Sequence, residues 1–298
     1  MKNVAKINLE IKKCKQCPFG RHPEGYESWF CVHDMINPGL EVGDGSEVPD
    51  YCPFVIQRLK RVLEAISGVT ATTMPKKYIN DVERKQKNND PDPKFGADHA
   101  WNHIRKVQTI GKDFLNQCYD FGYTDSSKIE KQALLLEIAA FFHDIGLAES
   151  ARGHAIHSSE LAKKCLSKYD IDEEDLRVIM HAIANHSDGM DTRTMIDAAL
   201  VLADKLDVTR DRIVRITDNI TRELTKVEKV SFVIKGKNGK AEEAVLEYET
   251  EESFDPMALR DWPKSIMIPK MITEEFLKIA KFTFLVNGEE IDVKNILR

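Results

Sequence analysis

The sequence predicts a mainly α protein: an all-helical core, preceded by an irregular cysteine module and followed by a small α+β domain. Three observations predict it. Apolar residues recur at helical spacing almost without a break from Asp98 to about residue 227. Four of the six cysteines, Cys14, Cys17, Cys31 and Cys52, fall in an opening segment of Gly, Pro and aromatic residues with little periodicity. Beyond Val230 the texture changes to strand-like alternation punctuated by Gly and Asn. The resulting division is 1–68, cysteine module plus helix; 69–98, linker or exposed loop; 99–227, helical domain; and 228–298, small α+β domain.

Taken in order, Pro53 starts a helix with Val55, Ile56, Leu59, Val62, Leu63 and Ile66 on one face, ended by Ser67-Gly68. The polar stretch that follows, with Asn88, Asn89, Asp90, Pro91, Asp92 and Pro93, reads as a linker. Helices are expected near 99–118, 128–143, 154–169, 172–185 and 192–225. Residues 231–250 form a hairpin with its turn between Gly236 and Gly239. A helix over 273–281 and a last strand over 282–291, with an Asn-Gly turn, complete the tail.

Composition narrows the function classes. The chain has 298 residues, 42% hydrophobic and 31% charged, which fits about two globular domains and excludes collagen, disorder and a disulfide scaffold. The longest near-continuous apolar run, Ala133 to Phe142, is broken by Glu137 and is too short to span a bilayer. The first residues lack the apolar stretch of a secretion signal, so a cytoplasmic location and no membrane partner are expected. A net charge of −6 argues against a nucleic-acid partner. A homo-oligomer stays open.

Seven of the nine histidines lie between His99 and His186. The pair His143-Asp144 ends an apolar helix, and a helix apolar on every side is buried. A buried carboxylate is costly without a cation, a metal or several donors, and a metal held by imidazole and carboxylate meets that need. His99 and His103 share a helix face, as do His154 and His157. His186 follows Ile179 and Ile183 on an inward face, and Asp204 sits in an apolar helical context. Facing helices assemble metal sites in this way.

His103, then His143-Asp144 before Ile145-Gly146, then Asp204 within Leu-Ala-Asp-Lys-Leu-Asp, resembles the His…His-Asp…Asp pattern of the HD-domain metal-dependent phosphohydrolases. Asp98-His99-Ala-Trp-Asn-His103 is similar to that family's first motif. His157 and His186 are similar to the extra histidines of two-metal members. The match covers about residues 98 to 216. Two departures concern the cyclic-dinucleotide phosphodiesterase subfamily: Leu147 stands where it has Lys, and Ser187-Asp188-Gly189-Met190 replaces a Gly-Tyr-Pro signature.

The resemblance implies that His103, His143, Asp144 and Asp204 bind one metal. His157 and His186 would help bind a second, with Asp144 bridging. His99 resembles a non-ligand that contacts phosphate or orients a ligand, and His154 a ligand or proton donor; Lys205 is grouped with them. Mixed nitrogen and oxygen donors favour Fe, Mn, Co, Ni or Zn, with Mg open for a single ion. Such an ion lowers the pKa of bound water and offsets charge on phosphoryl oxygens. If the Asp204 helix runs straight, Arg215 and Arg222 fall near its face, and Arg210, Arg212 or Arg215 could hold phosphate. His181 lies on a different face from His186. Glu149, Asp188 and Asp207 are unranked as acids or bases.

Cys14 and Cys17 have knuckle spacing, and Cys31 and Cys52 would complete a four-thiolate structural zinc site. An iron–sulfur cluster and reduced thiols are the alternatives. Cys118 and Cys165 read as small buried hydrophobes. The expected function is metal-dependent hydrolysis of a nucleotide or another small phosphate ester. A cyclic or signalling nucleotide phosphodiesterase and a non-catalytic HD-fold binding or sensor module are the alternatives.

Overall fold

The computed structural model describes residues 20–21, 30–31, 40–41, 52–67, 74–88, 90 and 92–297. The chain divides into two compact units, Met1–Arg58 and Leu59–Arg298. In the first, β1 (Gly20–Arg21), β2 (Phe30–Cys31) and β3 (Leu40–Glu41) form an antiparallel ribbon with β2 central. Cys31 therefore lies on a strand and Cys52 is buried just before α1 (Pro53–Ser67), whereas Cys14 and Cys17 lie outside the described residues. The helix α1 forms where its periodicity placed it, with Leu59, Val62 and Ile66 buried.

The expected linker over 69–98 contains two helical elements instead. The helix α2 (Met74–Lys87) is followed by a 3-10 turn, Pro93–Gly96. Its polar composition hid a narrow stripe. Pro75 stands in the first turn, where the missing N–H costs nothing, and Ile79, Val82 and Gln86 face inward. Val82 packs on Phe95 and Leu147.

The helical core comprises α3 (Trp101–Asp120), α4 (Ile129–Phe142), α5 (His154–Leu166), α6 (Glu173–Asn185) and α7 (Met195–Leu206). The helix α4 is apolar on all faces because it touches α3, α5, α6 and α7. The helix α7 starts at a capping box, in which Thr194 accepts from the Asp197 N–H and Asp197 accepts from the Thr194 N–H.

The single helix expected over 192–225 breaks at Leu206. Asp207, Val208 and Thr209 are poor helix formers in succession, and the Asp207 carboxylate is taken by a side chain of α3. A 3-10 turn (Arg210–Arg212) follows, Ile213 bridges to Ala97, and α8 (Asn219–Leu224) starts afresh at an Asp218 capping box. Arg215 and Arg222 thus share no helix with Asp204.

The tail is an α+β unit. β4 (Val227–Lys237) and β5 (Lys240–Thr250) form the hairpin, turning at Asn238-Gly239 with φ of 52° and 73°, the left-handed conformation such a turn requires. β6 (Lys281–Val286) pairs parallel to β5, and β7 (Glu289–Glu290) returns after Asn287-Gly288. Gln117 of α3 donates to the Phe232 carbonyl at 3.0 Å and accepts from the Ile234 N–H at 2.7 Å. Its amide thus supplies the outer edge of β4 with a partner strand's hydrogen bonds. The helix expected over 273–281 lies earlier, as α9 (Lys264–Met271) continuing into a π-helical turn, Ile272–Phe276. Pro269 removes one helical donor, the Thr273 hydroxyl donates to the Pro269 carbonyl at 2.8 Å, and the next turn widens. Among the described residues no helix is long and apolar enough to cross a membrane.

Candidate metal centre

Five helices and the turns at their ends carry the cluster inward. Burial of α4 delivers His143 and Asp144 at its C-terminal end into the interior. Asp98 positions His103 one turn into α3, its carboxylate accepting from the Ala100 N–H at 2.8 Å and the His103 N–H at 3.2 Å. His154 opens α5, His186 closes α6, and Asp204 lies on the last turn of α7.

One oxygen, one carboxylate at a time, organises the geometry. Asp144 Oδ2 lies 3.2 Å from His143 Nε2 and 3.7 Å from His103 Nε2, while Asp204 Oδ1 lies 3.2 Å from His103 Nε2. Asp144 Oδ1 faces the other way, 3.2 Å from His154 Nε2 and 3.3 Å from His186 Nε2. The candidate ligand atoms of His103, His143, Asp144 and Asp204 lie within 4.8 Å of one another, and so do those of Asp144, His154 and His186. Asp144 belongs to both groups.

Hydrogen bonds on the far sides of the rings fix what the near sides offer. His103 Nδ1 is 2.7 Å from Asp207 Oδ2, His143 Nδ1 is 2.8 Å from the Ala140 carbonyl, and His186 Nδ1 is 2.6 Å from the Ile183 carbonyl. His154 Nδ1 faces the Ala151 carbonyl at 3.3 Å. Each of these partners is an acceptor, so each neutral ring keeps its proton on Nδ1 and turns an Nε2 lone pair inward. The lone pairs then meet in twos: His103 and His143 at 3.0 Å, His154 and His186 at 3.1 Å. A shared proton would satisfy one pair and leave the remaining imidazole and carboxylate acceptors crowded together. A divalent cation in each group satisfies all of them, and the far-side acceptors are those that orient histidine ligands.

The electrostatics fit the same arrangement. Burial pushes the Asp144 carboxyl up, but His143 and His99 outweigh it and hold it well below the usual range. Burial also opposes Asp204, which Lys205, His103 and Arg212 keep ionised. For Asp207, burial is outweighed by the hydrogen bond to His103 and the Arg212 charge, and the net direction is down. Burial lowers His186 to about 4. Burial alone would lower His143 too, but Asp144 reverses it and the net shift is upward.

A cavity of about 450 Å³, within the range of small-molecule sites, opens onto Asp144, Asp204, His99 and His154. Its cationic side holds Arg212, Lys205 and Lys264, and its apolar side includes Ile220, Leu224 and Trp262. Lys205 Nζ donates to Asp204 Oδ2 at 2.5 Å, and the Arg212 guanidinium donates to the carbonyls of Asp204 (3.1 Å) and Asp207 (3.0 Å). Lys264 Nζ donates to the Ser187 carbonyl at 2.9 Å; burial first, then the Lys205 charge, lowers its pKa.

The residues named from the sequence separate accordingly. His157 is absent from both groups, and His154 stands in its place beside His186. Both are on α5, but three residues turn a helix by about 300°, so the first-turn ring faces Asp144 and the later one is carried round and along the axis. His99 Nδ1 lies 2.6 Å from Asp144 Oδ2, beside the groups and facing the cavity. Of the three arginines, only Arg212 lines the cavity. Arg210 pairs outward with Glu228 and with Glu251, and Arg215 donates to the Asp90 carbonyl at 2.7 Å. His181 is held between Asp197 (2.9 Å) and Asp191 (3.2 Å). Glu149 and Asp188 are exposed, whereas Asp207 is buried behind His103. Sequence reasoning missed Ser187, Trp262 and Lys264. The last two lie some sixty residues past Asp204 with no motif around them, and no local signal could have found them.

Residues 98–223 match the HD domain family. Among curated proteins, an uncharacterized protein of Methanocaldococcus jannaschii is 27% identical over 128 residues, which is 39% of this chain and 49% of that protein. The chain thus spans about half the length of that relative.

Proposed function

We propose that this chain is a metal-dependent phosphohydrolase acting on a nucleotide or another small phosphate ester. The observation that carries the reading is the facing of imidazole lone pairs on both sides of Asp144, each ring fixed from behind by an acceptor. His103, His143, Asp144 and Asp204 would hold one ion; Asp144, His154 and His186 would hold a second. The donor set favours Fe, Mn, Co, Ni or Zn. When bound, such ions bring water to a reactive pKa near neutrality and screen charge on phosphoryl oxygens.

The chain's own residues do the rest. Asp207 keeps the proton of His103 on Nδ1 and so keeps Nε2 available. His99 donates from Nδ1 to Asp144 and lines the cavity, where its ring could give or take a proton. Arg212 and Lys205 keep Asp204 ionised and give the cavity a positive side that matches phosphate. Ile220 and Leu224 reduce the water around the reacting group.

The pair of His154 and His186 also favours a second reading, a phosphodiesterase for a cyclic or signalling nucleotide, because two ions suit displacement at a diester. A sensor module is the third reading; it has no physical need for a complete donor set. The same proposal keeps Cys14, Cys17, Cys31 and Cys52 as a structural zinc site, with an iron–sulfur cluster as the alternative, in a cytoplasmic protein.

The test is elemental analysis of protein purified without chelator, followed by a panel of phosphomonoesters and diesters. His143→Ala and Asp144→Ala are expected to lose metal and at least 1000-fold in turnover while far-ultraviolet circular dichroism persists. Full turnover in either variant overturns the reading.

A further inference from the structure

We infer that Lys264 and Trp262, both beyond the segment that matches the HD family, select the substrate: Lys264 binds its anionic group and Trp262 receives a planar ring. The preferred substrate is therefore an aromatic-bearing phosphate ester such as a nucleoside phosphate. This rests on the phosphohydrolase reading of the cavity and adds the residues that recognise what enters it.

The three cations of the cavity are not equivalent. Lys205 is neutralised by Asp204, and Arg212 lies 3.5 Å from Asp204 and 3.7 Å from Asp207. Lys264 has no carboxylate within 4 Å among the described residues. Its one hydrogen bond, to the Ser187 carbonyl, occupies one of three ammonium protons. Ser187 follows His186, and its side chain lies 3.3 Å from His154 Nε2. The Lys264 ammonium is thus fixed at the rim of the His154 and His186 group with two protons left for an oxyanion. Asp188 and Asp204 act on it only from beyond ion-pair distance, so the cost of burying this cation would be offset by an anionic ligand.

Trp262 lines the same cavity two residues earlier, alongside Ile220 and Leu224. The backbone fixes it: the Trp262 N–H donates to the Leu259 carbonyl, and the Ser265 hydroxyl donates to the Trp262 carbonyl at 3.0 Å. Among the described residues no aromatic ring stacks on its face. An indole beside aliphatic side chains is a stacking platform for a planar heterocycle, and stacking of this kind tolerates any base. A cation and an indole on one short segment, both lining the cavity that opens onto the candidate metal groups, match the two ends of a nucleoside phosphate.

The test measures kcat and KM of the full-length, metal-loaded protein on AMP, GMP, CMP, UMP and ribose 5-phosphate. A second readout, independent of turnover, is the rise in melting temperature with slowly hydrolysed nucleoside 5′-phosphorothioates. Lys264→Gln should raise KM for every ester about tenfold or more and abolish most of the phosphorothioate shift, with Lys264→Arg restoring binding to within about threefold. Trp262→Ala should raise KM about tenfold for the nucleotides and less than about twofold for ribose 5-phosphate. Trp262→Leu, which keeps bulk without an aromatic face, gives the same contrast should the alanine variant fail to fold. Wild-type affinity in Lys264→Gln, equal losses on both substrate types in the Trp262 variants, or no binding of any of the four nucleotides at millimolar concentration overturns the inference. Hydrolysis with unaltered variants removes this inference and leaves the phosphohydrolase. Altered binding without hydrolysis of any ester does the reverse.

Discussion

A single methyl group at Gly146 tests how the two halves of the centre are held together. Gly146 sits in the 3-10 turn Ile145–Ala148, directly after His143-Asp144, and is pressed against the first turn of α5. Its φ is not in the left-handed region, so alanine meets no backbone strain there. The obstacle is contact: a Cβ would lie 2.7 Å from the Ser158 nitrogen, 2.9 Å from the Ser158 hydroxyl, and closest of all to the His154 carbonyl oxygen. Two of these atoms are backbone and cannot swing aside, so α5 must shift by several tenths of an ångström, carrying His154 with it. Overpacking of this kind costs about 1–3 kcal/mol, which for a chain of this size lowers Tm by roughly 2–5 °C. The Gly146 N–H also loses its 2.8 Å bond to the Ser158 hydroxyl, which adds to the loss. His154 Nε2 starts 3.2 Å from Asp144 Oδ1, and a metal group tolerates little displacement. The Gly146→Ala variant should therefore keep the metal held by α3, α4 and α7 and lose the one shared with α5. Calorimetry and metal stoichiometry read the two effects. A Tm within 1 °C of wild type together with full stoichiometry would refute the reasoning.

Three further outcomes are expected. His154→Ala should lower metal content by one ion per chain while His157→Ala leaves it unchanged, measured by elemental analysis; the opposite result restores His157 as the ligand. Asp207→Asn keeps the shape behind His103 but weakens control of its proton, and should reduce metal affinity about 10- to 100-fold with little change in helical content, read by competition with a chromophoric chelator. Burial pulls the His181 pKa down, yet Asp197 and then Asp191 outweigh it and the net shift is upward. A raised folded pKa stabilises fully below the unfolded value near 6.5 and loses that contribution as pH rises through the folded value. The stability difference between wild type and His181→Asn, from denaturant titration, should thus be larger at pH 6 than at pH 8.5; a difference independent of pH removes the charged pairing.

Much of the helical core was legible because burial leaves a periodic trace. α4 is apolar on all faces since it is surrounded, and that composition alone placed His143-Asp144 in the interior. The positions His103, Asp204 and His186 followed from the apolar residues that share their faces. α2 was not legible, because a helix that buries only Pro75, Ile79, Val82 and Gln86 leaves too little pattern among its lysines. The break after Leu206 was visible only in part, in the run Asp207-Val208-Thr209; what ends the helix is a carboxylate drawn to His103, a residue 104 positions away.

The sequence by itself determined the helical class, the hairpin with its Asn-Gly turn, and the inward placement of His103, His143-Asp144, His186 and Asp204, since each is set by neighbours within a few turns of chain. Tertiary structure alone decided that His154 rather than His157 faces Asp144. It also set His154 and His186 against one carboxylate oxygen of Asp144 and His143, His103 and His99 against the other, and it brought Trp262 and Lys264 to the cavity from the far end of the chain. Spacing along one helix fixes a direction relative to that helix, but the convergence of several helices depends on how they pack, and packing is a property of contacts between segments that no local pattern encodes.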